Sequence, residues 1–278
     1  MKIGIIGLGL IGGSLAKSIK SRTAHTVLGA DIDKETLMLA RICGAMDNTL
    51  TEDAIPKCDM LLLALTPQAA IQWVKSNAPA INKNTILIDM CGVKRSVCRE
   101  LGAIAEEFGF TYIGGHPMAG KERGGFVNAT PDLFVGASMI LVPEKGIEID
   151  PLERSKNLFT DIGFASITFS TPEEHDRIIA YTSQLAHIAS GAYVKSPTAQ
   201  NHRGFSAGSF KDMTRVALLD ENMWTELFFS NRDNLLSELD TFIQHLTEYQ
   251  AALQAEDREA LRALLKEGKE KKALAGGN

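Results

Sequence analysis

Cysteine is scarce. The 278-residue chain has four, Cys43, Cys58, Cys91 and Cys98, and no two of them stand in a CxxC pair. That excludes the paired spacing of a structural zinc site and a dense disulfide scaffold, and it points to reduced thiols in a cytoplasmic protein. No metal site is expected. Long apolar runs are missing too: none reaches 18 residues, so no membrane-spanning helix is expected. Positive charge is not in excess. There are 29 Lys and Arg against 34 Asp and Glu, for a net charge of -5. The chain therefore has no basic field to attract nucleic acid or an anionic membrane. The start, MKIGIIGLGLIGG, lacks a cleavage-site pattern and is not a secretion signal. No internal repeat is present.

What is there is an ordinary globular composition, 45% apolar and 23% charged, with enough length for two domains and a large core. The first half alternates two kinds of segment. KIGIIG, HTVLGADID, CDMLLLALT, NTILIDMCG, FTYIGGHP, GASMILVP and ASITFS read as strands. LIGGSLAKSIKSR, KETLMLARICGA, QAAIQWVKSNAPAI, KRSVCRELGAIAEEFG and a segment from about Pro151 to Phe159 read as helices. Such alternation makes βαβ units: an α/β fold of the Rossmann type, with a doubly wound, mostly parallel sheet.

In the first unit stands Gly7-Leu8-Gly9-Leu10-Ile11-Gly12. The GxGxxG pattern alone is weak, but here it follows a strand and opens a helix, which is the context it needs. Gly7 permits the tight turn, Gly9 lets a pyrophosphate approach the backbone, and Gly12 lets helix and strand pack closely. The N–H groups at the helix start can then hold phosphates. Asp31 ends the second strand 19 residues beyond Gly12. An acid there binds both ribose hydroxyls of NAD and repels the 2′-phosphate of NADP, and no Arg follows directly after it. The alternative is that these glycines serve packing alone. We expect NAD as cofactor, in preference to NADP, with Thr66 and Pro67 at the end of the third strand assigned to the same site.

Beyond about Ser170 the strand signals stop. Thr171 is an N-cap, Pro172 opens the first turn, and Glu173 and Glu174 sit near the positive helix end. The stretch from Asn222 to Leu274 reads as two long helices joined near Ala255-Glu256-Asp257. Its first helix carries Leu227, Phe228, Leu235, Leu239, Phe242, Ile243 and Leu246 at helical spacing. So broad an apolar face needs a partner, and an all-helical domain that also dimerises follows. The expected division is a dinucleotide-binding domain over 1–170 and a helical substrate-binding and dimerisation domain over 171–278. The polar end, KEGKEKKALAGGN, is expected to fray.

A few polar residues stand out. His116, in YIGGHPMAGKERGG, lies at the carboxyl end of a parallel strand, where ligands bind in doubly wound folds. It reads either as a base for a substrate hydroxyl or as a loop histidine held by carbonyls. Gly120, Gly124 and Gly125 would let a loop fold over the site. His175 and His187 are 12 residues apart, about 120° around a straight helix, so they do not share one metal. His187 is either a core or a cleft residue, and His175 with Asp176 reads as an exposed cap. Lys211 and Arg215, four apart, suit a substrate carboxylate or a salt-bridged surface.

Together, GLGLIGGSLA, DMCGVK, GGHPMAGKE, EEHDRIIAYTSQLAH, GSFKDMTRVA and NMW…FFSNRDN resemble, in order from Met1 to about Tyr249, the prephenate dehydrogenase family of tyrosine biosynthesis. The resemblance implies a homodimer and an NAD(P)-dependent oxidative decarboxylation, either of prephenate to 4-hydroxyphenylpyruvate or of arogenate to tyrosine. It implies His116 as the base at the ring hydroxyl and Arg215 on a substrate carboxylate, with Lys211 nearby. His187 becomes a second substrate-site histidine, and Glu122 a gating acid that can pair with the arginine. Three departures bear on substrate binding. Gly92 stands where the family often has a serine supporting the histidine, so water or Thr66 must take over. Gln184 and Ala186 replace a histidine and a proline. Lys121 brings a cation near the cleft. No extra catalytic or regulatory domain is expected. The competing readings are another dehydrogenase of similar architecture, such as a 3-hydroxyacid dehydrogenase or an imine reductase, and an NAD-binding sensor without turnover.

Overall fold

The computed structural model describes residues 1–276. Eight strands form one sheet: β1 (Lys2–Ile6), β2 (Thr26–Ala30), β3 (Asn48–Thr49), β4 (Met60–Leu63), β5 (Ile86–Asp89), β6 (Thr111–Pro117), β7 (Ser138–Pro143) and β8 (Ser166–Phe169). Their order is β3-β2-β1-β4-β5-β6-β7-β8. Every neighbouring pair is parallel except β6 and β7, which run antiparallel with His116 opposite Ile140. The two-residue β3 carries no sequence signal and was not expected.

Helices α1 (Leu10–Arg22), α2 (Lys34–Ile42), α3 (Pro67–Asn77), α4 (Arg95–Phe108) and α5 (Ile149–Asp161) connect these strands. Strand periodicity explains why both faces are covered. Ile3, Ile5, Met60, Leu62, Ile86 and Ile88 point to one side and pack with Leu15, Ala16 and Ile19 of α1 and with Leu158 and Phe159 of α5. Ile6, Leu61, Leu63 and Leu87 point to the other and meet Ala70, Ile71 and Val74 of α3 and Val97, Leu101 and Ala105 of α4. Alternate residues thus feed two separate cores, which is why these strands read as continuous apolar runs.

The helical half contains α6 (Pro172–Ile179), α7 (Ala186–Val194), α8 (Gly208–Thr214), α9 (Glu221–Ser230), α10 (Arg232–Gln254) and α11 (Arg258–Ala275). Thr171 caps α6 by accepting from the Glu174 N–H, as expected. Three expectations are corrected. A π-helical turn, Ala180–Leu185, separates α6 from α7, so the straight-helix angle between His175 and His187 does not apply. The first long helix is broken at Asn231 into α9 and α10; the Asn231 amide is buried and donates to the Asp176 carbonyl (2.7 Å) and Gln184 Oε1 (2.9 Å). The polar end remains helical as far as Ala275; Gly277 and Asn278 lie outside the described residues. The turn between α10 and α11 falls where expected, with Glu256 in the left-handed region (φ 54°).

The two halves are stitched together by named contacts. Arg95 of α4 reaches Asp233 and Asn231 at the start of α10 and Asp176 of α6. Glu226 of α9 accepts from the Gln68 N–H at the start of α3 (2.8 Å). No helix among the described residues is long and apolar enough to cross a membrane.

Candidate active site

Strand order reverses between β1 and β4, and such a switch point opens a crevice at the carboxyl ends of the strands. The glycine loop lies there, and each glycine behaves differently. Gly7 has φ 85° and donates to the Ala30 carbonyl (2.8 Å). A Cβ on Gly9 would meet nothing within 4 Å, whereas one on Gly12 would collide with the Gly7 carbonyl and with Ala64 Cβ. Gly9 therefore faces open space and Gly12 is sealed against its neighbours. No side chain caps α1, which leaves its first N–H groups for an anion. The Asp31 carboxylate accepts from the N–H groups of Leu8 (2.7 Å) and Asp33 (2.9 Å). A carboxylate has about four lone-pair positions, so Asp31 is oriented with capacity left for ribose hydroxyls. Ile32 beside it is fully exposed. Thr66, also exposed, is the N-cap of α3, with Pro67 following at its first turn.

His116 sits near the end of β6, half-buried. Its Nδ1 lies 2.9 Å from His175 Nε2, and His175 Nδ1 lies 2.8 Å from Asp176 Oδ1. His175 is only 2% exposed and Asp176 is fully buried, so the expected exposed cap is instead an interior pair. The helix turns His175 to the face that carries Ile179, its buried neighbour one turn on. On the other edge of the His116 ring, a Cβ at Gly92 would lie 4.0 Å from Nε2 and 3.4 Å from Leu227 Cδ2. Gly92 therefore puts no side chain between Nε2 and Leu227. Burial, with His175 and the Lys94 ammonium nearby, pushes the His116 imidazole well below its ordinary range. It is neutral at neutral pH.

Beneath the histidines lies a closed polar cluster. Asp89 accepts from the Lys94 ammonium, from the Tyr112 hydroxyl (2.7 Å) and from the Cys91 N–H (2.8 Å). Lys94 and Asp89 are both fully buried. Burial works hardest against the Lys94 charge, but Asp89 together with Cys91 and Cys98 outweighs it, and the ammonium titrates above its ordinary value. Burial pushes the Cys98 thiol up to about 12. Sequence reading missed Lys94 and Asp89, although both stand in DMCGVK.

A second group gathers in the helical half. The His187 ring packs on Trp224, with centroids 3.8 Å apart, and its Nδ1 bonds the Ser183 carbonyl (2.8 Å). Burial lowers its pKa, the Ser183 carbonyl opposes this, and the Arg215 charge lowers it further. Arg215 donates to Glu122 Oε1 across 3.4 Å, which joins the helical half to the loop after β6. Lys211 is exposed one turn before Arg215. The Lys121 ammonium binds the Asn128 carbonyl (2.8 Å) within its own loop. No hydrogen bond joins Thr66 to His116; the ring is held instead at its Nδ1 edge by His175.

Comparison with known proteins bears on this arrangement. Residues 15–168 match the family model described as prephenate dehydrogenase, nucleotide-binding domain, and residues 171–267 match prephenate dehydrogenase, dimerization domain. The cyclohexadienyl dehydrogenase of Zymomonas mobilis is 31% identical over 95% of this chain and 92% of its own length. The prephenate dehydrogenase of Bacillus subtilis is 27% identical over 96% of this chain and 74% of its own. The structure of prephenate dehydrogenase from Aquifex aeolicus in complex with hydroxyphenyl propionate and NAD+ is 26% identical, superposes with a TM-score of 0.87, and covers 99% of this chain and 98% of its own.

Proposed function

The chain belongs to the prephenate dehydrogenase family, and on that premise we propose that it converts prephenate to 4-hydroxyphenylpyruvate by oxidative decarboxylation in tyrosine biosynthesis, with arogenate as the alternative substrate. It is an oxidoreductase that uses NAD. The observation that carries the catalytic reading is the state of His116: a neutral imidazole with Nδ1 engaged and Nε2 on the edge facing Gly92, which brings no side chain against it.

The residues present fit the dinucleotide. Open space at Gly9, the uncapped start of α1 and the oriented Asp31 make a pyrophosphate and ribose cradle, to which we assign Gly7 to Gly12, Asp31, Thr66 and Pro67. Asp31 and Asp33 side by side disfavour a 2′-phosphate. When bound, NAD supplies the acceptor for the hydride that leaves the hydroxyl-bearing ring carbon. His116 Nε2 takes the hydroxyl proton as that carbon becomes a carbonyl. The carbonyl draws in the electron pair of the bond to the ring carboxylate, carbon dioxide leaves, and the ring becomes aromatic. The imidazolium then returns its proton to the phenolate oxygen. Arg215, with Lys211 and His187 beside it, holds a substrate carboxylate, and Glu122 occupies the arginine until substrate displaces it.

We place the division between dinucleotide-binding and substrate-binding parts at 170 and 171. We infer a homodimer built on the helical half, because α10 presents Leu236, Ile243, Leu246 and Leu253 outward at helical spacing. Its location is proposed to be the cytoplasm, from its unpaired cysteines. The decisive assay follows NADH formation with prephenate and with arogenate, each with NAD and NADP. Turnover of prephenate with NAD is expected. Absence of turnover with both substrates rejects the function, and faster turnover of arogenate reassigns the substrate.

A further inference from the structure

Among the described residues, no side chain hydrogen-bonds the His116 ring from the Gly92 edge, and its one ring hydrogen bond runs through Nδ1 to His175. That bond is the second link of a chain with a fixed starting point. Asp176 is wholly buried and sits against the beginning of α4. It accepts from the Lys94 N–H (2.7 Å), the Arg95 N–H (2.9 Å) and the Arg95 guanidinium (3.4 Å) as well as from His175. Burial alone would raise its pKa, yet the His175 contact and the two backbone N–H groups bring it below the usual carboxylate range. The start of a helix adds a favourable dipole. Asp176 is therefore an ionised group that only accepts.

The proton positions follow by elimination. His175 must donate to Asp176 through Nδ1–H. Burial lowers the His175 pKa, Asp176 opposes this, and Lys94 lowers it again, with a net fall. Neutral His175 then carries a lone pair on Nε2, which must accept from His116. That puts the His116 proton on Nδ1. We propose that Asp176 and His175 are positioning residues that fix the His116 tautomer, so that a bare Nε2 meets the substrate hydroxyl. This goes one step beyond the assignment of His116 as base and rests on it. It answers how a chain with glycine at position 92 orients its base: the support comes from the opposite edge of the ring, from His175, 59 positions away, with Asp176 behind it.

Protonating His175 would reverse the link. Its Nε2 would become a donor, His116 would have to accept at Nδ1, and its proton would move to Nε2, where it blocks the reaction. The charged and titratable groups facing the pair are Lys94 and Asp89 from the β5–α4 segment and Asp176 on α6.

The test reads the tautomer directly in the wild-type protein by nitrogen-15 NMR with labelled histidine. His116 and His175 should each show a protonated Nδ1 and an unprotonated Nε2 at neutral pH. An Nε2–H tautomer for His116 overturns the proposal whether or not the enzyme turns over prephenate, so this result is separable from failure of the assigned reaction. Kinetics of variants give the second reading. His175→Leu should lower kcat on the order of 100-fold or more, by analogy with loss of a tautomer-fixing partner. NAD affinity should hold, and KM should stay within about threefold. His175→Gln, whose carbonyl can accept from His116, should recover part of the loss. An unchanged kcat in His175→Leu also overturns the proposal.

Discussion

The two halves of the molecule handle apolar surface in opposite ways. In the nucleotide half, alternate strand residues fill two cores and the largest side chains are sealed. In the helical half, the buried apolar residues are few: Ile179, Ala180, Leu185, Leu235 and Ala252. Phe229 is 71% exposed and Phe205 94%. The first half completes its own packing and carries His116, the proposed base, on a strand of its sheet. The second presents unfinished surface and holds Lys211 and Arg215, the cations proposed to bind substrate, in the open. The contrast predicts that chemistry and binding separate along the chain: changes at β6 and α6 strike kcat, and changes at α8 strike KM.

The sharpest way to break that division is His116→Asn. Loss of a general base costs about 10²- to 10⁴-fold, so kcat should fall by that much while NAD affinity, assigned to the glycine loop, is unchanged. A fall in NAD affinity of similar size would merge the two functions. The same residue sets a pH limit. Its folded pKa lies below the ordinary 6.5, and as the proposed base it works unprotonated, so kcat/KM should stay level as pH falls through 6.5 and drop only at lower pH. An acid limb above 6.5 contradicts the burial argument.

Next in size is Arg215→Ala. A hydrogen bond to a charged group contributes on the order of 1.5–3 kcal/mol, so KM for prephenate should rise about 10- to 100-fold with kcat little changed. An equal fall in kcat would make Arg215 part of the chemical step. The dimer is tested by Ile243→Asp with Leu246→Glu. Near a twofold axis each new charge meets its own copy, at a cost of several kcal/mol. Light scattering should then show a monomer at concentrations where the parent is a dimer. An unchanged mass moves the interface off this face of α10.

How far the sequence carried these conclusions depended on the range of each interaction. The glycine loop was legible because its jobs are local: a positive φ at Gly7, an open face at Gly9 and a sealed one at Gly12 are all written within six residues. The strands of the first half were legible because burial on both faces leaves unbroken apolar runs. His175 was misread because its partner is remote and its neighbours, Thr171 to Glu174, are true cap residues. A usable signal was present, since His175 shares a helix face with Ile179. The break at Asn231 was hidden for the same reason: helical periodicity runs through it, and the buried bonds of its side chain reach residues 55 and 47 positions away. The Arg215–Glu122 pair was reached through resemblance, because no spacing rule links residues 93 apart.

The smallest effect belongs to Glu122→Gln, and it tests whether the open half is as loosely held as its exposure implies. The Glu122 carboxylate titrates below its ordinary value, through a backbone hydrogen bond first and Arg215 second, yet its side chain and that of Arg215 are 45% and 61% exposed. Water and salt screen such a pair, so its contribution to stability is slight. The sign is still definite. A carboxylate with a depressed folded-state pKa adds stability that is present above its unfolded value and is lost as pH falls through the folded one. At neutral pH the variant should therefore melt within about 1 °C of the parent, a small shift on the scale expected for domains of this size. If Glu122 holds Arg215 away from substrate, removing its charge should lower KM for prephenate by about twofold at low ionic strength, and added salt should erase the difference. A higher KM would instead make Glu122 a group that positions the arginine for its substrate.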